Sequence, residues 1–407
     1  MRFHVLHSPL GTLLAYHLRR TLPPKHAVSL VSNRRNVVQE QATPNSVVSL
    51  EHSGVVMSIR NIDFETPDHR SRPSTNKFPR PPTAMGTGAT PAEDEKPIES
   101  LIVTVPPSYT RSTLNQLIHR LSPQSTIVLM QTGLGVYEQL VTTLFTNPAR
   151  RPHFIIASPR HQAWLKRPNH VVHGLSGSID FSIVPDSRGR DFEAMFRSPD
   201  VSPLDRGLRL TDIANKEGDA QFAEYASLRN TVAVLSRLDA LNVSWLPMEE
   251  GEVVFRRDLV VRAVTDALAV NLGLPNGELL STVFSRNLAE ALILEMHCAF
   301  RRQWEAELCS HLSPEDQLRE LPPLPKGLGR RALMEELVRY LSVTKGHLAP
   351  MLSDIEAGAP IQLRYGLWYL IELGRAYGLS MPTTVSLYRT IRARALAGRP
   401  TTSMLGT

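Results

Sequence analysis

Histidine is the residue type that first suggests chemistry in this chain of 407 residues. Fourteen histidines are present, and eleven of them precede residue 174. Neutral imidazole is a common metal ligand. No pair, however, has the His-x-x-x-His or Cys-x-x-Cys spacing with a third ligand nearby that zinc sites display. The sequence therefore predicts no metal site.

A serine nucleophile is the second candidate. Ser176 and Ser178 follow His173 closely, in the segment Gly174-Leu-Ser-Gly-Ser. A catalytic serine needs a base and a carboxylate that orients the base. The segment differs from the Gly-x-Ser-x-Gly elbow, and no carboxylate is placed to complete a triad. We interpret it as a loop between two strands.

Three charged residues, Asp258, Arg262 and Asp266, stand four positions apart. This spacing places them on one face of a helix, where neighbouring charges of opposite sign stabilise the helix. The favoured interpretation is a structural ion-pair ladder, and a new catalytic site is the alternative.

The elements that must position these residues divide the chain into two parts. Residues 2–31 predict a strand, a turn at Gly11, a helix and a second strand, which is a βαβ unit. Residues 46–65 predict a hairpin around Ser53-Gly54 that extends this unit. Residues 66–97 contain seven prolines without periodicity and predict a disordered insertion.

Order resumes at Ile98 with alternating strands and helices, including predicted strands at Leu101–Val105, Thr126–Met130 and His153–Ala157. Beyond Asp212 the apolar residues recur at helical spacing to the end, and no strand is predicted there. No apolar run is long enough to cross a membrane.

The charge distribution bears on partners and location. Residues 1–205 hold 22 Lys and Arg against 16 Asp and Glu, and the remaining residues are balanced. This basic excess suits a polyanionic partner such as RNA, although a solvated basic surface is the commoner explanation. No acidic residue precedes Glu40, which resembles a mitochondrial presequence, but the same residues also form the first βα unit.

Several segments, taken in their order and spacing, resemble the ketopantoate reductase family, which reduces 2-dehydropantoate with NADPH. They are His4-Val5-Leu6 with Gly11 and Leu13-Leu14-Ala15, then Leu101 to Val105, Gln131 to Gly135, His173-Gly174, Pro275 to Leu279 and Met351 to Ile355. The resemblance implies an α/β Rossmann-type N-terminal domain at 1–205. It also implies an all-α C-terminal domain at 206–407, similar to that of 6-phosphogluconate dehydrogenase.

The nucleotide-binding turn departs from the family pattern. Where the family has Gly-x-Gly-x-x-Gly, this chain has His7-Ser8-Pro9-Leu10-Gly11, which is one residue short and keeps only the last glycine. Pro9 also removes an N–H group that could face a phosphate. Pyrophosphate binding should be weak.

Other cofactor positions are also altered. A cofactor-contacting lysine is replaced by Pro106, and the asparagine of Gln-Asn-Gly is replaced by Thr132. Arg34 and Arg35 follow the second strand, where NADP-dependent relatives often carry a cation, and a solvated basic turn is an equally good interpretation of them. Gly11, Arg34 and Thr132 are therefore weak or vestigial cofactor contacts, and no bound cofactor is expected.

The catalytic positions differ most. Counting back from Asn276-Gly277, the general-acid lysine becomes Asp258, and the family's two asparagines become Arg262 and Asp266. The substrate-orienting glutamate becomes Gln362. Ketone reduction requires a proton donor or cation at the carbonyl oxygen, and an ionised aspartate opposes it.

Residues that serve turns and packing remain, and among these we count Gly133, Gly277 and Asp354. The sequence therefore favours a catalytically inactive relative that acts as a binding or scaffold factor, with a protein or RNA partner, in mitochondrial RNA or translation processes. The alternative is an NADPH-dependent 2-dehydropantoate 2-reductase, or a reductase of a related 2-oxo acid.

Overall fold

The structure is a computed structural model that describes residues 1–33, 47–67, 97–200, 202, 206–311 and 322–397. These residues form two compact units. The first comprises 1–131 and 137–251, and the second comprises 132–136 and the described residues from 252 onward. The division falls after Gly251, later than the domain boundary predicted after residue 205. The predicted insertion at 66–97 lies almost wholly outside the described residues, as does Arg34.

Twelve described strands belong to the first unit. They are β1 (Arg2–Leu6), β2 (Ala27–Val31), β3 (Val48–His52), β4 (Val55–Ile59), β5 (Asp63–Glu65), β6 (Ser100–Val103), β7 (Thr126–Met130), β8 (His153–Pro159), β9 (Ala163–Arg167), β10 (His170–His173), β11 (Ile179–Ile183) and β12 (Val243–Trp245). Eight form one sheet in the order β12-β11-β8-β7-β6-β1-β2-β5, in which β11 runs antiparallel to β8. The remaining four form a second sheet in the order β4-β3-β10-β9.

The helices are α1 (Pro9–Thr21), α2 (Pro107–Leu117), α3 (Val136–Thr143), α4 (Ala194–Arg197), α5 (Leu210–Ile213), α6 (Phe222–Leu235), α7 (Met248–Leu272), α8 (Val283–His311), α9 (Arg330–Val343), α10 (Pro350–Glu356), α11 (Leu367–Ala376) and α12 (Pro382–Ala397). The larger sheet carries the buried apolar runs expected of strands covered on both faces. This α/β unit and the helical second unit confirm the predicted fold class.

Two local predictions are confirmed, one by the pairing of strands and the other by the geometry of a turn. The first two strands are parallel neighbours joined by α1, so the opening βαβ unit is present. The hairpin of β3 and β4 turns at Ser53 and Gly54, which have φ of 50° and 80°. Successive left-handed residues match the right-handed twist of a two-residue hairpin.

Two other predictions were wrong. The hairpin does not extend the first βαβ unit, because β3 pairs with β10 in the second sheet. The region beyond Asp212 contains a strand, since β12 pairs with β11 at the edge of the larger sheet. A strand of three residues is too short to show a hydrophobic periodicity in the sequence. The strand β12 is instead stabilised by pairing with β11, which lies about sixty residues earlier in the chain.

The second unit packs its helices around one apolar core. Leu268 of α7, Met296 of α8, Leu337 of α9 and Leu370 of α11 are fully buried in this core. The long helix α8 carries both cysteines, Cys298 and Cys309, and neither forms a disulfide bond. Across the described residues, every helix is too short or too polar to cross a membrane.

The close approach of α1 to the end of β1 requires a glycine. A Cβ atom added to Gly11 would lie 2.1 Å from the carbonyl oxygen of Leu6 and 2.6 Å from the hydroxyl oxygen of Thr104. The first neighbour is backbone, so it cannot rotate away. Gly11 is therefore fixed by packing, whether or not a ligand binds nearby.

Gly11→Ala should lower the free energy of unfolding by about 1–3 kcal/mol, because the added methyl group must push α1 away from β1. Urea unfolding of the full chain measures the change. Gly207→Ala is the matched control, since its added Cβ meets no atom within 4 Å. Equal stability of the two variants would contradict the packing argument.

Four histidines of the first unit are held in the neutral form by burial. They are His4, His17, His153 and His173, and burial lowers the pKa of each from 6.5 to about 4. Each is less than a tenth exposed. An unfolded chain therefore binds protons at these positions at a higher pH than the folded chain does.

Acidification should destabilise this unit between about pH 6.5 and pH 4. In that range the unfolded state holds more protons than the folded state. Each such histidine therefore lowers the free energy of unfolding by up to about 1.4 kcal/mol for each unit by which the pH falls. Urea unfolding across the range measures the slope, and His153→Gln should make it shallower. His119→Gln, at an exposed position, should keep the wild-type slope. Parallel slopes for all three proteins would contradict the assignment.

Candidate functional site

The turn between β1 and α1 is closed by a chain of side-chain hydrogen bonds. Ser8 is the N-cap of α1, and its hydroxyl oxygen accepts the Gly11 N–H at 2.9 Å. The Ser8 hydroxyl donates to Thr104 Oγ1 at 2.8 Å, and the Thr104 hydroxyl donates to the Leu6 carbonyl oxygen at 2.7 Å. The helix terminus is therefore capped by the protein itself.

Other backbone groups of the turn are also engaged. The His7 N–H donates to the Val31 carbonyl oxygen at 2.8 Å, and the Thr12 N–H donates to the Ser8 carbonyl oxygen at 2.8 Å. Pro9 has no N–H. A dinucleotide turn instead offers its N–H groups to pyrophosphate.

A cleft of about 330 Å³ adjoins this turn at the carboxyl ends of β1, β2 and β6. Asn33, Pro106, Tyr109 and Leu165 are among its lining residues, and none of the described lining residues is Lys or Arg. A pyrophosphate would find the Gly11 N–H already bonded to Ser8, no N–H at Pro9, and neither Lys nor Arg in the described lining. The residues described around this turn therefore do not fit the phosphates of NADPH.

The second unit contains a separate, smaller cavity of about 130 Å³. It lies between α7, α9 and α10 and the segment 362–367. Its polar lining consists of Thr132, Arg262, Thr265, Asp266, Tyr340, Asp354, Gln362 and Tyr365. Neither Lys nor His is among the lining residues that the structure describes. We refer to this space as the helical-unit cavity.

Burial controls the ionisation of the two carboxyl groups in this cavity. It raises the pKa of Asp266 from 3.8 to about 7, opposed by the positive charge of Arg262 and by the Met351 N–H. The negative charge of Asp354 raises it further. Burial also raises the pKa of Asp354. Both groups therefore bind protons more readily than an aspartate in water.

A close backbone contact brings Thr132 to the cavity. The Leu134 N–H donates to the Tyr365 carbonyl oxygen at 3.1 Å. Gly133 has φ of 108°, and a Cβ atom on it would lie 2.5 Å from the same oxygen. Glycine is required by both the conformation and the contact.

The structure brings together some of the residues singled out in the sequence and separates others. Arg262, Asp266, Gln362 and Thr132 line the helical-unit cavity, while Asp258 is not part of its lining. Arg262 acts electrostatically on Asp266, as a charge row on α7 would require. Gly11 lies in the other unit, and Arg34 is outside the described residues. The cofactor-binding and catalytic roles discussed for these positions remain predictions.

Asp354 has a neighbour that the sequence does not reveal. The sequence analysis predicts a turn or packing role for Asp354, and the structure places it in the cavity lining, where its negative charge acts on Asp266. In the sequence, Asp354 stands out only because it lies in the segment Met351 to Ile355, which resembles the family. A resemblance of this kind does not distinguish a packing residue from a cavity residue.

A cluster of histidines in the first unit was missed. His161 and His173 form a ring-nitrogen hydrogen bond of 3.0 Å, and His52 Nδ1 bonds the His173 carbonyl oxygen at 3.0 Å. His17 interacts electrostatically with His161 and His173. These residues come from separated elements, so spacing along the chain could not reveal them. Across the described ranges, no group of three or more His, Cys, Asp or Glu is arranged to hold a metal ion.

Comparisons with known proteins place both units in one family. Residues 10–186 match the family described as Ketopantoate reductase PanE/ApbA, and residues 256–395 match its C-terminal domain. A 2-dehydropantoate 2-reductase of Saccharomyces cerevisiae is 29% identical over 144 residues, which cover 35% of this chain and 33% of the yeast protein. The chain thus matches about one third of the length of that relative.

Solved structures share the fold at low sequence identity. The 2-dehydropantoate 2-reductase of Methylococcus capsulatus has a TM-score of 0.64 at 15% identity, with full coverage of both chains. A D-mandelate dehydrogenase solved with NADH and anilino(oxo)acetate has a TM-score of 0.64 at 13% identity, covering 98% of this chain and 99% of its own. With both domain profiles matched in order, this chain belongs to the ketopantoate reductase family.

Proposed function

We propose that this chain is a catalytically inactive member of its family that serves as a binding or scaffold protein. The observation that carries the proposal is the charge of the helical-unit cavity, whose described lining residues include Asp266 and Asp354 and one cation, Arg262. A 2-oxo acid substrate carries a carboxylate. Two negative groups in the cavity oppose its entry.

The size of this opposition is considerable. Two like charges about 4 Å apart repel by roughly 4 kcal/mol at an effective dielectric constant near 20. Such a penalty corresponds to about a thousandfold loss of binding. Protonation of Asp266 relieves part of it, since the pKa of that carboxyl is about 7, but the charges of Arg262 and Asp354 then cancel and leave no net positive charge to hold the substrate.

The cofactor position supports the same proposal. The Gly11 N–H is capped by Ser8, and the adjacent cleft is lined mainly by apolar groups. The family's lysine position holds Asp258, by the alignment from Asn276-Gly277. Binding of the hydride donor, donation of the proton and binding of the substrate carboxylate should therefore all be impaired.

The competing function is reduction of a 2-oxo acid with NADPH, and Asp266 is the residue that favours it. A carboxyl group with a pKa of about 7 is partly protonated at neutral pH and has the acidity of an effective general acid. In that case Asp266 would donate the proton to the reduced carbonyl oxygen.

Purified full-length protein titrated with NADPH should give no enhancement of nicotinamide fluorescence, because the Gly11 N–H is already bonded to Ser8 and the adjoining cleft has no described Lys or Arg. Addition of 2-dehydropantoate should cause no oxidation of NADPH. Circular dichroism confirms that the protein is folded. Micromolar binding with substrate-dependent oxidation would contradict the proposal, and loss of that oxidation in Asp266→Asn would establish the competing function.

A groove on the second unit supports RNA as the partner. Its volume is about 560 Å³, and its lining includes Arg364, Arg392, Trp368 and Tyr388. The two rings lie 5.2 Å apart, and Arg392 donates to the Tyr388 hydroxyl at 3.2 Å. No acidic side chain is among the described lining residues. Arginines with aromatic rings suit the phosphates and bases of single-stranded RNA.

A fluorescein-labelled oligouridylate should bind the protein with an affinity that falls as salt rises. Two phosphate contacts predict a slope of about −1.4 in a plot of log affinity against log salt. Fluorescence polarisation measures it, and the double variant Arg364→Gln with Arg392→Gln should lose most of the binding. Arg389→Gln is the control, since Arg389 is exposed on α12 but does not line the groove.

Salt-insensitive binding, or equal affinity of the double variant and the control, would contradict the RNA proposal and leave a protein partner. A mitochondrial location remains a prediction from the acid-free N-terminal segment.

A further inference from the structure

The helical-unit cavity has the charge of a cation site. Asp266 and Asp354 line it on α7 and α10, and Arg262 is the lone cation among its described lining residues. With both carboxyl groups ionised, these three side chains carry a net negative charge. A positively charged ligand would therefore be attracted where a carboxylate is repelled.

An unpartnered hydroxyl group is a second, independent indication of a ligand. Thr265 lines the cavity and is 1% exposed, and its Oγ1 has no hydrogen-bond partner. Buried hydroxyl groups in native proteins are nearly always paired, because an unmade hydrogen bond costs the full desolvation of the group. A ligand with N–H donors would satisfy this oxygen.

Aromatic side chains complete the lining. Tyr340 and Tyr365 both border the cavity. The faces of tyrosine rings attract organic cations, and aromatic side chains are used in this way to recognise ammonium groups. A cavity of about 130 Å³ is close to the roughly 150 Å³ that holds a benzene molecule. The ligand should therefore have about six non-hydrogen atoms or fewer.

We propose that the helical-unit cavity binds a small organic ammonium ion, with Asp266 and Asp354 as its counter-charges and the Thr265 hydroxyl as an acceptor for its N–H group. This assignment rests on the proposed loss of 2-oxo acid reduction, because it gives the same cavity a ligand of opposite charge.

Binding should be linked to proton release. Asp266 is faced by Arg262 of its own helix, Asp354 of α10 and Tyr340 of α9, and its pKa is raised to about 7. An alkylammonium ion has a pKa near that of lysine, about 10.4, and stays charged through this range. The cation therefore prefers the ionised carboxylate, and affinity rises with pH until Asp266 is fully ionised.

The experiment compares two ligands of similar shape and opposite charge, butylammonium and butyrate, by isothermal titration calorimetry on the full-length protein. Butylammonium should bind with a dissociation constant on the order of 1 mM. Its affinity should rise about tenfold between pH 6 and pH 8, as expected for a group that titrates near pH 7. Butyrate should not bind.

Variants assign the binding to this cavity. Asp266→Asn should remove most of the affinity and the pH dependence, and Asp354→Asn provides a second test should the first variant fail to fold by circular dichroism. Thr265→Val should weaken binding without changing its pH dependence. Glu356→Gln is the control, since Glu356 is exposed on α10 and does not line the cavity.

Butyrate binding without butylammonium binding would overturn the inference, and so would butylammonium binding that Asp266→Asn and Asp354→Asn leave unchanged. Absence of binding by either ligand would overturn it too. None of these results bears on NADPH oxidation, which is measured separately, so failure of the ligand assignment is distinguishable from failure of the proposed function.

Discussion

The hydrogen-bond chain from Gly11 through Ser8 and Thr104 to Leu6 is the interaction on which the first unit's candidate site depends. It fixes the start of α1 against the end of β1, where a methyl group on Gly11 would collide with the Leu6 carbonyl oxygen. The Gly11 N–H cannot donate to a phosphate while it donates to Ser8. Local stability therefore occupies a backbone donor that a dinucleotide turn would offer to pyrophosphate.

Much of the fold could be predicted because its signals are local. The βαβ opening follows from strand, turn and helix patterns over thirty residues, and the Ser53-Gly54 hairpin follows from turn chemistry. The second sheet could not be predicted in this way, since β3 pairs with β10 across more than a hundred residues. The short strand β12 depends on its partner β11 for the same reason.

The candidate site was predictable only where a residue's type decided its role. The sequence itself predicts an aspartate, Asp258, at the family's lysine position, and it shows that Pro9 has no N–H. The raised pKa of Asp266 was not, because it arises from burial and from Asp354, which lies far along the chain. The same limit applies to His52, His161 and His173, which meet only in the folded sheet.

The family motifs that remain in this chain are largely packing constraints. A Cβ atom on Gly133 would lie 2.5 Å from the carbonyl oxygen of Tyr365, and one on Gly277 would lie 2.9 Å from the carbonyl oxygen of Lys345. Such glycines must persist as long as the fold does, whatever the protein binds. Cavity residues have no such constraint, since exchanging a polar side chain for another polar side chain preserves the packing around it. A gain of negative charge at Asp266, where the resemblance implies an asparagine, can therefore arise on an unchanged scaffold, so fold similarity alone does not identify the ligand.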